Sequence, residues 1–189
     1  MRTIDAYPGG MVVASALKIA PYVFVRPGEL QQARWEDIDF DACEWRYTTS
    51  KTGTPHIVPL APQVMNILKI LYTYTGHQEW VFPHHWQKSK PMAKTAMLAA
   101  LRSMGITAEE ITPHGFRAMA RTMLDEVLGE RYDLIEHQLA HMVRDPNGRA
   151  YNRIQHLQKR HRMMGRWATY LDGLRSEVQR TDSTPTKDD

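Results

Sequence analysis

A single cysteine, Cys43, stands among 189 residues, so no internal disulfide can form and no cysteine-based zinc site can be assembled. Long apolar runs are also missing. Mean hydropathy is −0.50, and no stretch approaches the roughly 18 residues needed to cross a bilayer. No charged-then-apolar leader opens the chain. These absences point to a reducing, intracellular compartment and away from a membrane. Neither sign of charge dominates: 24 basic residues face 21 acidic ones, a net +3. What is present suffices for one packed domain, since 42% hydrophobic and 9% aromatic residues can fill a core at this length.

The distribution of charge says more than its total. Residues 1–60 carry six Lys/Arg against seven Asp/Glu, whereas 144–166 carry seven basic residues against Asp145 alone, with His156 and His161 in reserve. Such a stripe is the electrostatic footprint of a polyanion partner. A solvated helix face has the same composition.

Apolar periodicity predicts a helix over 11–25, with Pro21 expected to kink or divide it, and a second short helix opened by Pro27. The period then changes. Ile38–Phe40, Glu44–Thr49 and His56–Leu60 read as strands of a small antiparallel sheet, the last two joined by a loop containing Gly53. Helices return from Pro62, with Trp80–Phe82 as one more short strand. Residues 91–104 read as a helix opened by Pro91. Over 114–128, Phe116, Met119, Ala120, Met123, Leu124 and Val127 form one stripe, started by Thr112 and Pro113 and stopped at Gly129. A short helix follows at 132–140. Beyond the Asp145–Gly148 loop, a small helix carrying Tyr151 leads into a long one to about Leu174. Residues 181–189 are polar and read as a disordered tail.

Several residues could carry chemistry. His114 and Arg117 share a face in the first turn of a helix, whose free N–H groups favour anions; there they could hold a phosphate. An ordinary capping turn with a surface arginine would look the same. Arg26 also precedes a helix start, and Glu29 is better placed to orient it or cap the turn than to meet a phosphate. His137 and His141 have a zinc-compatible i, i+4 spacing, but no third ligand stands nearby. Tyr151 opens the most basic segment, where positive charge would favour a phenolate able to attack phosphorus. A packed ring is the alternative.

Taken in order, VRPGEL at 25–30, a hairpin lysine, HGFR at 114–117, LAH at 139–141 and AYNR at 150–153 resemble the catalytic domain of the tyrosine recombinases, the phage-type integrases. The resemblance is strongest to integrases carried by prophages and genomic islands, and it runs from about Tyr7 to Leu174. It implies an α+β fold, mainly α, with a small antiparallel sheet near the N-terminus. It also implies that Arg26 and Arg117 bind the scissile phosphate, that His114 and His141 hydrogen-bond it or move protons, and that Glu29 supports Arg26. Lys51 would be the general acid toward the leaving 5′-oxygen, and Tyr151 the nucleophile.

Arg149, Arg153, Lys159, Arg160 and Arg162 are the expected DNA contacts, and no cofactor or metal ion is implied. The partner would be double-stranded DNA attachment sites in the bacterial cytoplasm and nucleoid. The full-length protein would act there as a tetramer, with accessory bending or directionality proteins. Residues 1–180 would form the catalytic domain. The arm-binding and core-binding domains of full integrases have no counterpart here, so Met1 is expected to open a fragment, monomeric by itself. A type IB topoisomerase-like nicking and resealing enzyme, a non-catalytic DNA-binding module and a zinc hydrolase using His137 and His141 are the competing expectations.

Overall fold

The computed structural model describes residues 2–141 and 156–181. Its helices are α1 (Arg2–Asp5), α2 (Met11–Val23), α3 (Pro27–Gln31), α4 (Pro62–Thr75), α5 (Ala96–Ser103), α6 (Gly115–Glu126), α7 (Tyr132–Gln138) and α8 (Leu157–Thr181). A 3-10 turn at Trp35–Asp37 leads into strands β1 (Ile38–Asp39), β2 (Glu44–Thr48) and β3 (Pro55–Pro59), antiparallel in the order β1-β2-β3. This is the mainly helical α+β arrangement expected from the sequence.

Helix α2 holds the centre because it carries one charge, Lys18, in 13 residues, and a helix apolar almost all round must be enclosed. It touches α4, α5, α6 and α8. Leu17 and Ala16 are fully buried there, along with Leu71 of α4, Leu101 of α5, Leu124 of α6 and Trp167 of α8. Pro21 does not divide the helix. The ring lies inside it, and the chain continues to Val23 before Phe24 closes it in the left-handed region, φ 38°. The Pro21 carbonyl accepts the Trp167 indole N–H at 2.9 Å, and the Phe24 ring meets Trp167 edge-on at 6.1 Å. Helix α8 is thereby pinned to the end of α2.

The sheet is antiparallel as expected, and its register sets Trp45 opposite Val58 and Tyr47 opposite His56. Its second turn, residues 49–54, closes through Gly53 N–H to the Thr49 carbonyl at 2.9 Å and needs the left-handed φ of 61° at Gly53. The Thr49, Thr52 and Thr54 hydroxyls lie within 2.6–3.1 Å of one another, which ties the turn together.

Some boundaries differ from the sequence reading. Trp80 makes only an isolated bridge to Arg34 rather than a strand. Helix α5 starts at Ala96, not Pro91, because Lys90 and Met92 pair their backbones with His84 and Phe82. Val127 falls beyond the end of α6 and is 56% exposed, so it leaves the apolar stripe. Thr112 closes the turn just ahead of α6 instead of capping it: its hydroxyl accepts the N–H of Gly115, the first helical residue, at 3.1 Å, and His114 takes the N-cap position. The expectations for Tyr151, Arg149 and Arg153, and for the tail beyond Thr181, lie outside the described residues.

Candidate active site

Arg117 is the fixed point of the site. It stands in the first turn of α6 on the side that faces α2 and α7, and it is 6% exposed. Its Nη1 donates to the Phe24 carbonyl at 3.2 Å. Its Nη2 donates to the Leu139 carbonyl and to His141 Nε2, the latter at 3.1 Å. Both carbonyls sit at helix ends where a non-glycine residue takes the left-handed conformation: Phe24 itself, and Ala140 at φ 52°, directly after Leu139. An L-residue there costs about 1–2 kcal/mol, and such strain concentrates where geometry must be held. Neither carbonyl carries a countercharge, and the carboxylates of Glu29 and Glu136 act on the guanidinium only through space. Burial lowers the Arg117 pKa and the like charge of Arg26 adds to it, so the two cations stand close enough to repel.

Arg26 occupies the N-cap of α3, where Pro27 opens the helix. Glu29, one turn on and 5% exposed, gathers three donors: Arg26 Nη1 at 2.9 Å, Arg26 N–H at 3.2 Å and the Tyr47 hydroxyl at 2.9 Å. Burial and the Glu29 charge push the Tyr47 phenol far above its ordinary range, so it stays an O–H donor. Two guanidiniums that feel each other's charge, one held by a carboxylate and one by carbonyls, could together hold an anion.

His141 joins this site through the end of α7. Ala140 N–H reaches the His137 carbonyl and His141 N–H the Glu136 carbonyl, a Schellman closure that turns residue 141 back along the helix. Its Nδ1 lies 2.6 Å from Glu136 Oε2, and Arg121 Nε donates to Glu136 Oε1 at 2.7 Å. A carboxylate only accepts, so Nδ1 carries the proton and Nε2 accepts from Arg117: the neutral tautomer. Burial acts to raise the Glu136 pKa, but the hydrogen bonds from Arg121 and His141 outweigh it and hold the carboxyl below its ordinary 4.5.

A folded-state pKa below the unfolded one contributes stability above about 4.5 and loses it as pH falls through the lower folded value. Glu136→Gln is therefore expected to melt lower at pH 7 and to show a shallower fall in Tm below pH 4.5. An acid limb as steep as the wild type's would assign that stability to other carboxylates.

The other expected residues are placed less tightly. His114 stands exposed at the N-cap of α6, and Lys51 is exposed in the 49–54 turn. Lys159 and Arg162 are exposed and, with Arg131 and Arg166, line one open pocket of about 500 Å³. Arg160 does not belong to that surface. It is 1% exposed, with Nε and Nη2 on Gln138 Oε1 at 3.0 and 2.6 Å and Nη2 also on the Ile57 carbonyl. Burial pushes its pKa down to about 10. It falls on the inward-facing α8 stripe of Met163, Met164 and Trp167, one turn after the buried His156, so this expected DNA contact is enclosed in the fold.

His137 is 7% exposed with its ring 5.8 Å from His156, and among the described residues no group of three His, Cys, Asp or Glu could hold a metal. The zinc arrangement of His137 with His141 is therefore not formed by these residues. Glu136, Tyr47 and the Phe24 and Leu139 carbonyls were not singled out from the sequence. Only the Glu136–His141 spacing offered a signal, as neighbours across the end of one helix.

This fold is that of the tyrosine recombinase catalytic domain. The integrase of mycobacterium phage Brujita superposes with a TM-score of 0.68 at 17% identity, over 88% of this chain and 55% of that one. A lambda integrase dimer bound to a COC′ core site gives 0.59 at 19%, over 75% and 55%. A lambda integrase tetramer bound to a Holliday junction gives 0.56 at 19%, over 74% and 43%. In sequence, the phage integrase family matches residues 1–156, and the chain belongs to that family. It is 38% identical to the integrase of Enterobacteria phage P4 over 193 residues, 94% of this chain and 44% of that protein. It is 37% identical to the prophage integrase IntA of Escherichia coli K12 over 145 residues, 76% of this chain and 35% of that one. The chain thus spans less than half the length of these curated relatives. No helix among the described residues is long and apolar enough to cross a membrane.

Proposed function

We propose that this chain is the catalytic part of a site-specific DNA recombinase that integrates or excises a mobile element. The observation that carries this reading is the buried Arg117 bonded to His141 and close enough to Arg26 to feel its charge, in a chain of the integrase family. In the proposed reaction the Tyr151 phenolic oxygen attacks the scissile phosphorus. A new P–O bond forms to the tyrosine as the bond to the 5′-oxygen breaks, and Lys51 protonates the departing oxygen. The products are a 3′-phosphotyrosyl enzyme and a free 5′-hydroxyl. A 5′-hydroxyl from another duplex can reverse the step, because the phosphoester bond is exchanged and not hydrolysed. Arg26 and Arg117 stabilise the charge gathering on the non-bridging oxygens. His114 would add a donor from the start of α6, and Lys159 and Arg162 would meet the DNA backbone.

Double-stranded attachment sites are the proposed partner, in the bacterial cytoplasm and nucleoid. Tetramer assembly, which the lambda integrase complexes on a core site and a Holliday junction support, and accessory bending proteins would belong to the full-length protein. The test is a nicked suicide duplex, which loses a short product after cleavage and traps the enzyme. A denaturation-resistant protein–DNA adduct is expected, formed equally well in EDTA because the arginines supply the positive charge. DNA binding with no adduct at any enzyme concentration would reduce the chain to a binding module.

A further inference from the structure

The β2–β3 pair does more than carry the Lys51 turn. Tyr47 and His56 are register partners across the two strands, with their rings edge-on at 5.5 Å. Strand alternation puts both on the face that also holds Trp45 and Val58. From this one cross-strand pair, two bonds leave in opposite directions. The Tyr47 hydroxyl donates to Glu29, which holds Arg26. His56 Nε2 lies 3.2 Å from the Gln138 carbonyl, and since a carbonyl only accepts, Nε2 carries the hydrogen. Gln138 is fully buried and directly precedes Leu139, whose carbonyl holds Arg117; His141 follows two residues on. The buried Arg160 guanidinium reinforces the second link, because it joins the Ile57 carbonyl, next to His56, to Gln138 Oε1.

We propose that Tyr47 and His56 are positioning residues, a strut across the hairpin base that sets the separation between Arg26 and the α7 end carrying Leu139 and His141. Neither touches DNA in this arrangement; each acts through a neighbour. An anion site of two arginines on different helices needs such a strut, because productive geometry tolerates errors of only about 0.5 Å. Without the Tyr47 hydroxyl, Glu29 keeps Arg26 as its one side-chain partner among the described residues, and the pair can swing together. Without the His56 N–H, the Arg160 guanidinium is the hairpin's remaining polar link to Gln138 among the described residues. The proposal rests on the recombinase reading, and its test separates the two.

Single-turnover cleavage is measured on two nicked duplexes, one with an ordinary scissile phosphodiester and one with a methylphosphonate there. The methylphosphonate carries no charge and so needs less from a correctly placed guanidinium. Tyr47→Phe is expected to slow the ordinary substrate about ten-fold, the effect of one hydrogen bond to a charged group, and to lose most of that defect on the methylphosphonate. Adding Glu29→Gln should cost little more. His56→Phe should follow the same pattern, and His56→Gln, whose amide can still donate to the Gln138 carbonyl, should recover much of the rate. Equal losses on both substrates, or losses of Tyr47→Phe and Glu29→Gln that simply multiply, would overturn the strut. If the wild-type chain forms no adduct, the recombinase reading fails. The strut is then judged by the Arg26 side-chain Nε–H resonance, which it requires to shift or broaden in Tyr47→Phe. An unmoved resonance would overturn it.

Discussion

Tyr151→Phe is expected to abolish the covalent adduct on a nicked suicide duplex while leaving DNA binding intact, because the substitution removes one oxygen and nothing else. A tyrosine attacks phosphorus well only when positive charge favours its phenolate, which ordinarily forms near pH 10. In the proposed reaction Arg26 and Arg117, with Lys159 and Arg162 nearby in sequence, would supply such a field. Two other tyrosines in the fold are held in the opposite state. Tyr47 donates to Glu29 and Tyr22 to Asp172 at 2.8 Å, and burial pushes both phenols far above their ordinary range. Tyr72, Tyr74 and Tyr132 are about half exposed. Gel-resolved adduct formation, followed by mapping of the DNA-linked peptide, checks the assignment. An adduct that survives in Tyr151→Phe would move the nucleophile to one of these rings and undo the proposed chemistry.

Most of the architecture was legible because its signals are local. The α6 stripe, the change of period at Ile38 and the glycine in the 49–54 turn each follow from a few neighbouring residues. Arg160 was also legible but was misread. Its place among His156, Met163, Met164 and Trp167 is ordinary helical spacing, and counting it with the basic residues concealed its place on the apolar face. Ala140 could not be read, since alanine signals helix continuation and only the surrounding packing holds it at φ 52°.

The anion site mixes both cases. Arg26 and Glu29 are one turn apart, and their pairing is a matter of spacing. The grip on Arg117 comes from carbonyls 93 and 22 residues away, and a backbone carbonyl has no sequence signature. Tyr47 reaches Glu29 from 18 residues away, a tertiary fact. Local chemistry was therefore visible, and the parts that hold it in place were not.

Lys51→Ala is expected to slow cleavage of an ordinary substrate by roughly 10²–10⁴-fold, the range of a lost general acid, and to regain most of that rate when the bridging 5′-oxygen is replaced by sulfur. A thiolate leaves without a proton, whereas an alkoxide does not, so only a defect in proton delivery is repaired by the exchange. The side chain is exposed in a turn whose backbone is fixed by Gly53 and three threonine hydroxyls. A long flexible amine on a rigid turn can swing to a DNA end that arrives later.

Arg117→Ala provides the contrast. Its buried guanidinium would meet non-bridging oxygens, whose charge is unaltered by sulfur at the bridging position, so its loss should persist on both substrates. Its removal also leaves the buried Phe24 and Leu139 carbonyls without their donor, at about 1–3 kcal/mol each. A lowered Tm should therefore accompany its defect and be absent from Lys51→Ala. If sulfur fails to restore Lys51→Ala selectively, the lysine is a backbone or base contact. The acid would then be sought at His114, the exposed imidazole at the start of α6, by the same exchange.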